Sequence, residues 1–163
     1  MRTRSGRRRS AETRSKGLER VGATARVDAS PAEVFAVLRA PASHAEIDGS
    51  GTVVGHRLDG PAVLQLGDRF HMSMRRGIPY RMWNTVVEFE ADRRIPWRQE
   101  RGHHVWRYEL EPDGEGTLVT ETFDWSMCRA KWLIHAMRAP ANNLASIRAT
   151  LVRLQDHFAS RSA

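Results

Sequence analysis

The sequence has little of what disulfide bonding, metal clusters or membrane insertion would need. Its 163 residues include one cysteine, Cys128, which excludes an internal disulfide and a cysteine-based zinc cluster. No run of apolar residues approaches the roughly 18–20 that a membrane-spanning helix requires. A single cysteine is consistent with a reducing compartment, so we expect a cytoplasmic protein.

The common catalytic and cofactor motifs are missing as well. No H-E-x-x-H, C-x-x-C or G-x-S-x-G segment occurs. His103 and His104 are adjacent, so on a strand they point to opposite faces and cannot bind one ion together. The glycines at 49, 51 and 55 are spaced one residue too widely for a dinucleotide fingerprint. We therefore expect neither a metal nor an organic cofactor.

Positive charge is concentrated at the N-terminus. Of the formal net charge of +7, residues 1–20 supply +6 and contain no apolar stretch. Such a segment cannot pack a core, so we expect a disordered basic tail before one domain at 21–158, followed by a short C-terminal tail at 159–163. Contact of the tail with nucleic acid or an anionic membrane is less favoured than a solvated leader.

Residues 21–51 predict a strand, two short helices and a turn. The segment 21–28 alternates loosely, as a strand does. Ser30 and Glu33 form a capping box around a helix that ends at Pro41, and 41–47 suits a second short helix. Asp48-Gly49 is a favoured turn in which the aspartate bonds its own backbone. The alternative is an acid–base pair of His44 and Asp48, four residues apart on one helical face.

The remainder of the chain predicts strands followed by one long helix. Runs with strand character lie at 52–58, 66–76, 80–90, 93–100, 103–112 and 116–125. Pro96 favours an edge position or a bulge for its strand. From about 129 to 158 the apolar residues recur at helical spacing, and Pro140 should kink or restart that helix.

This order of elements predicts an α+β fold. The strands are not separated by helices, so the pattern argues against a doubly wound parallel sheet. A long antiparallel sheet must bury one face, and the C-terminal helix is the only large element available to cover it. We expect about seven strands in a strongly bent antiparallel sheet around that helix, with two short helices after the first strand.

The ordered series of segments resembles the SRPBCC or START-like superfamily, and most closely its polyketide cyclase/dehydrase and lipid-transport branch. The resemblance covers roughly 21–158 and rests on SPAEVFAVLRAPASHAEIDGSGTV, LGDRFHMSM, YRMWN, IPW, HVWRYELEP and GTLVTETFDWS. It implies the helix-grip fold, in which a bent sheet grips a long C-terminal helix over an internal cavity.

Large, soft or amphipathic side chains on the strands are the candidates for lining such a cavity. The candidate ligand-binding residues are Phe70, Met72, Met74, Met82, Asn84, Trp106, Tyr108 and Met137. Asp124 and Tyr108 are the candidate catalytic residues, and His44 and Asp48 are candidates for the cavity rim. These assignments depend on the strand register, because a slip of one residue exchanges the two faces.

Two functions fit this pattern. The first is a cofactor-free carrier or sensor of a small hydrophobic or aromatic, lipid- or polyketide-like molecule. The alternative is a polyketide cyclase or dehydratase that uses polar cavity residues, among which Asn84, His104 and Arg107 are further candidates. Binding is slightly favoured over catalysis, because the candidate cavity residues are mostly apolar and no general-base pair is recognisable. The sequence does not indicate an oligomeric state.

Overall fold

A computed structural model describes residues 11–12, 19–55 and 60–161. It confirms the predicted α+β architecture, in which one curled antiparallel sheet wraps around a long C-terminal helix. Most of the basic segment predicted to be disordered, 1–10 and 13–18, lies outside the described residues, as do the last two residues of the chain.

One antiparallel sheet runs through the described part of the chain. Its order is β1-β2-β7-β6-β5-β4-β3, and β1 contributes only two residues at the edge. The strands are β1 (Ala11–Glu12), β2 (Arg20–Val27), β3 (Arg69–Arg76), β4 (Ile78–Val86), β5 (Arg94–Gln99), β6 (Val105–Asp113) and β7 (Gly116–Asp124). Consecutive strands from β3 to β7 are neighbours, and β2 closes the series by pairing with β7.

Two details of the predicted strands differ from the described residues. In the segment 52–58, Val53 forms only an isolated bridge with Met74, and 56–59 lie outside the described residues. β5 is an interior strand although it contains Pro96. The Pro96 carbonyl accepts from the Val87 N–H on the β4 side, just beyond the last β4–β5 pair. Because its nitrogen faces the same side, the proline interrupts no bond to β6.

The two short helices form as predicted. Helix α1 (Pro31–Leu38) has the expected capping box, in which the Ser30 hydroxyl accepts from the Glu33 N–H and the Glu33 carboxylate accepts from the Ser30 N–H. Helix α2 (Pro41–Ile47) begins at its proline, whose missing N–H has no partner to lose in a first turn.

The C-terminal helical segment is interrupted, as Pro140 predicts. Helix α3 (Lys131–Ala136) ends before Arg138, which adopts a left-handed φ of 52°, and α4 (Ala139–Ala159) begins directly afterwards. Pro140 therefore lies in the first turn of α4, where proline is tolerated. No helix in the described ranges is both long and apolar enough to cross a membrane.

The hydrophobic core lies under the C-terminal half of α4. From Ile147 onward the side chains of Ile147, Leu151, Leu154 and Phe158 are buried, and α4 packs against β2, β7 and α2. The predicted apolar stripe does not continue into α3, because the turn at Arg138 changes the direction of the chain, and Leu133 and Met137 are exposed. The N-terminal part of α4 therefore lies above the sheet without filling the space between them.

The loop after α2 is held against α4. The Gly49 N–H donates to the Thr150 hydroxyl at 2.9 Å, and the Arg153 guanidinium donates to the Asp48 carbonyl. The Asp48 carboxylate accepts from the backbone N–H groups of residues 50, 52 and 53, which is the predicted turn chemistry. One acid thus stiffens the whole loop.

We predict that Gly49→Ala destabilises the fold. A Cβ at this position would overlap the backbone of Ser146 and Thr150, which no side-chain rotation can relieve. Overpacking of this kind costs about 1–3 kcal/mol, measurable as a lower urea midpoint. Gly55→Ala is the control, because a Cβ there meets open space and its φ is not left-handed. Equal midpoints for the two variants would contradict the close packing of the loop.

Candidate functional site

A cavity of about 370 Å³ lies between the concave face of the sheet and the N-terminal half of α4. The loop at 48–53 closes one side, and α3 together with the β3–β4 hairpin borders the opening. Its volume falls within the range of about 300–1,000 Å³ that is typical of small-molecule sites. The concave face of the sheet thus packs against the core at one end and borders the cavity at the other.

Most of the sequence-predicted site residues line this cavity. Met72, Met74, Met82, Asn84, Trp106, Tyr108 and Met137 contribute to its wall, as do His44 and Asp48. The other large contributors are aromatic or apolar, namely Ile47, Val53, Tyr80, Trp97, Phe123 and Ile134. His44 is more deeply placed than a rim residue, because it is buried and its ring stacks on Trp97 with centroids 5.2 Å apart.

Two of the sequence-predicted residues lie elsewhere. Phe70 is buried behind the wall, in edge contact with His44 and Trp97. Asp124 is half-buried on the outer face of β7 and accepts from the Ser126 N–H. The outward position follows from the register of β7, in which residues 117, 119, 121 and 123 face inward. Arg107 also points outward, toward Glu88 at 3.7 Å.

The inward acid of β7 is Glu121, which sequence reasoning missed. It is only 4% exposed and lies directly opposite Tyr108 on β6. The sequence does contain a signal for a buried acid, because Glu121 lies two residues from both Val119 and Phe123 and so shares one face of the strand with them. A carboxyl group on the apolar face of a strand indicates a buried acid.

The surroundings of Glu121 favour its uncharged form. Burial raises the pKa of Glu121 to about 8; the hydrogen bond from the Tyr108 hydroxyl opposes this rise and the negative charge of Asp48 adds to it. Burial likewise raises the pKa of Tyr108 well above its usual value, and Glu121 and Asp48 contribute to that shift. At neutral pH the pair is therefore a carboxylic acid beside a phenol.

Two histidines in the wall are also uncharged. Burial lowers the pKa of His104 to about 4. Burial lowers the pKa of His44, although its contact with the Leu38 carbonyl and the charge of Asp48 act in the opposite direction. The His44 Nε2–H donates to the Leu38 carbonyl at 2.7 Å, which leaves Nδ1 as the unprotonated acceptor.

Four polar side-chain atoms of cavity-lining residues have no hydrogen-bond partner among the described residues. They are His44 Nδ1, Asn84 Oδ1, His104 Nδ1 and Glu121 Oε2. Asn84 uses its amide to donate to the Met82 carbonyl at 3.1 Å, so its oxygen alone remains available. A buried polar atom without a partner costs about 1–3 kcal/mol, so four such atoms on residues that line one cavity favour a site for a polar group.

The chemistry that this wall can perform is hydrogen bonding and proton transfer. In the described part of the chain, no group of three or more His, Cys, Asp or Glu side chains is arranged to hold a metal ion. The aromatic and methionine side chains can pack against an apolar body, and the residues that carry the unpartnered atoms line the same space. Asp48 is unsuited to act as a base, because its oxygens are taken up by the loop backbone.

Two mycobacterial proteins resemble the chain in sequence. Two uncharacterized proteins of Mycobacterium tuberculosis strains, Rv0088 and MT0096, are 38% and 37% identical over 149 residues. The match covers 88% of this chain but 66% of each relative, so the chain spans just under two thirds of their length.

Solved structures share the fold at low sequence identity. Protein Ms6760 of Mycobacterium smegmatis has a TM-score of 0.68 at 13% identity, covering 93% of this chain and 98% of its own. The KanY protein (ms6282) has a TM-score of 0.70 at 17% identity, with 88% and 99% covered. An AHSA1-like protein of Aeromonas hydrophila has a TM-score of 0.63 at 17% identity, with 88% and 94% covered.

A family model described as polyketide cyclase / dehydrase and lipid transport matches residues 19–159. The matched range contains every described strand from β2 to β7, all four helices and the whole cavity. The chain therefore belongs to this polyketide cyclase/dehydrase and lipid-transport family of the SRPBCC superfamily.

Proposed function

We propose that the domain is a carrier or sensor that binds one small, uncharged and mainly apolar molecule in its cavity. The observation that carries the proposal is the combination of a mainly apolar space under α4 with four unpartnered polar atoms on the residues that line it. An apolar wall supplies affinity through burial, and a few placed polar groups fix the orientation of the ligand.

The charge state of the wall narrows the class of ligand. His44 and His104 have lowered pKa values and Glu121 a raised one, so all three are neutral near pH 7. A ligand ion buried against these three groups would have no countercharge among them and would incur a large desolvation penalty, so the part of the ligand that contacts them is uncharged. The ionisable side chains of Asp48 and Arg76 lie elsewhere in the lining, on the loop after α2 and on the β3–β4 hairpin. The free acceptors on His44 and Asn84 suit a hydroxyl or amide donor, and Glu121 suits a carbonyl or hydroxyl oxygen.

A second candidate function is a cyclase or dehydratase, which the protonated state of Glu121 favours. In a cyclisation, Glu121 would donate its proton to a ketone oxygen while an enol carbon attacks that ketone. The carboxylate would then regain a proton from the enol hydroxyl. An acid whose pKa lies near the working pH suits such a two-way transfer. Tyr108 would orient the carboxyl through their hydrogen bond.

Ligand binding is tested with N-phenyl-1-naphthylamine, an uncharged fluorescent probe. We expect saturable binding at one site by the unmodified protein. Met82→Trp should weaken binding by tenfold or more, because the larger ring occupies the cavity. Met127→Trp is the matched control, since Met127 is exposed and lies outside the cavity wall. Equal affinity for both variants would place the probe elsewhere and contradict the proposal.

The uncharged state of Glu121 predicts a pH-dependent stability. In the unfolded chain the carboxyl ionises at a pKa of 4.5, and in the folded protein at about 8. Between these values ionisation favours the unfolded state, so the native state loses up to ~1.4 kcal/mol per pH unit from this group. Relative to Glu121→Gln, the free energy of unfolding should be greatest at low pH, fall toward pH 8 and then level off.

The measurement is urea unfolding of the wild type and Glu121→Gln from pH 5 to pH 9. Glutamine has nearly the same shape and no charge, so the contributions of His44 and His104 cancel in the difference. A difference that does not change with pH would show that Glu121 ionises normally and that the wall carries a charge.

The enzymatic candidate is tested with a linear β-polyketone thioester, following cyclised and dehydrated products by mass spectrometry. Glu121→Gln should lower the rate roughly 10²-fold or more if the carboxyl acts as an acid. Asp124→Asn is the matched control, because it makes the same chemical change on the outer face of β7. No acceleration by the wild type would reject catalysis on this substrate class while leaving ligand binding intact.

A further inference from the structure

Two projecting corners of the molecule stand at the mouth of the cavity. One is the β3–β4 hairpin, which turns at Gly77 and contributes Arg76 and Tyr80 to the cavity border. The other is the corner formed by α3 and the turn into α4, which contributes Ile134 and Met137. Because both border the same opening, they belong to one side of the molecule.

Both corners expose large apolar side chains to solvent. Trp132 on α3 is 73% exposed, Met127 just before α3 is 71% exposed, and Ile78 in the hairpin is 78% exposed. Tyr80, Leu133 and Met137 add further exposed apolar area. No residue of α3 is buried, although its sequence, KWLIHA, is largely apolar. Clustered exposure of this kind marks an interaction surface.

The same corners carry unpaired positive charge. The stretches 69–87 and 125–155 contain no Asp or Glu. Within them Arg75, Arg76 and Arg81 of the hairpin, and Arg129 and Arg138 beside α3, are exposed and form no ion pair with a described residue. Other arginines of the described residues are paired, since Arg69, Arg93 and Arg94 each lie within ion-pair distance of a glutamate.

We propose that this mouth face docks on the surface of an anionic lipid bilayer. The mouth face is defined by its exposed apolar and basic residues, Arg75, Arg76, Ile78, Tyr80, Arg81, Met127, Arg129, Trp132, Leu133, Met137 and Arg138. Its apolar tips suit the boundary between headgroups and acyl chains, where tryptophan and tyrosine are favoured. Its arginines complement the negative surface of the bilayer.

The pairing of apolar and basic side chains selects a bilayer over other anionic partners. Nucleic acid would match the arginines but offers no apolar phase for Trp132 and Ile78 to enter. The two corners flank an opening, so a flat partner can contact both of them at once. In the docked orientation the cavity opens toward the lipid, and an apolar ligand can exchange without crossing water. The proposal concerns the outer surface, so it does not depend on what the cavity binds.

The test is co-sedimentation of the full-length protein with vesicles of phosphatidylcholine alone or with 30% phosphatidylglycerol added. We expect binding to the anionic vesicles, weakening as salt is raised, and at least tenfold weaker binding to the neutral ones. Trp132→Ala should weaken anionic binding about fivefold or more, and Arg75→Glu with Arg76→Glu tenfold or more. The basic segment at 1–20 is identical in every variant, so these differences report the mouth face alone.

Matched controls lie on other parts of the surface. Leu66→Ala removes an apolar side chain that is 64% exposed near the far end of β4, and Arg98→Glu reverses an exposed charge on the outer face of β5. Both should bind anionic vesicles as the wild type does. Circular dichroism melting verifies that each variant folds, and unaltered naphthylamine binding by Trp132→Ala separates docking from the cavity.

Three results would overturn the proposal. The first is absence of binding to anionic vesicles. The second is binding that the mouth-face variants leave unchanged, which would place the contact on the basic segment or another surface. The third is tighter binding of the protein to a DNA duplex than to vesicles, lost in the same arginine variants, which would make nucleic acid the occupant.

Discussion

The close approach of the Gly49 backbone to the backbone of α4 is the constraint on which the site depends. Only a residue without a Cβ fits there, because Ser146 and Thr150 of the helix lie directly against it. The contact fixes the loop at 48–53 as one wall of the cavity, and the Asp48 carboxylate then holds the loop through three backbone N–H groups. A glycine and an aspartate therefore determine where the helix and the sheet separate.

This position of Asp48 also influences the chemistry of the cavity. Its charge disfavours ionisation of Glu121, which burial already disfavours, and the Tyr108 hydroxyl opposes but does not outweigh these effects. Glu121 is thus kept neutral by its surroundings, while the Asp48 carboxylate accepts from the N–H groups of its own loop. Separation of neighbouring acids by environment is the usual physical basis for assigning a charge-stabilising and a proton-donating role.

The sequence supports the fold well because the relevant signals are local. The capping box at Ser30, the proline at position 41 and the hairpin signal at 112–116 each depend on a few neighbouring residues, and each appears where predicted. The apolar wall was also predictable, since residues 72, 74, 82 and 106 lie at every second position of their strands, on the face that lines the cavity. By contrast, the interior place of β5 depends on which strands pair, which the single residue Pro96 cannot reveal.

Glu121 was harder to predict than the apolar wall, because its inward position depends on the register of β7. Asp124 and Glu121 are three residues apart, so they lie on opposite faces, and choosing the more conspicuous acid exchanged the inner and outer faces of β7. The neighbours of each acid decide the question: Val119 and Phe123 flank Glu121 on one face, while Thr120 and Thr122 share the other face with Asp124. The partnerless state of Glu121 Oε2 is a tertiary property that no local pattern contains.

The turn at Arg138 connects the interior of the cavity with the surface around it. Had the helix continued straight from α3 into α4, the apolar stripe through Leu133 and Met137 would have continued along the sheet and filled the space. The left-handed residue instead redirects α3, which leaves Met137 at the opening and Trp132 in solvent. One backbone feature therefore accounts for the cavity and for the exposed apolar corner beside it. A substitution that straightened this turn would alter both together, so the two features are structurally linked.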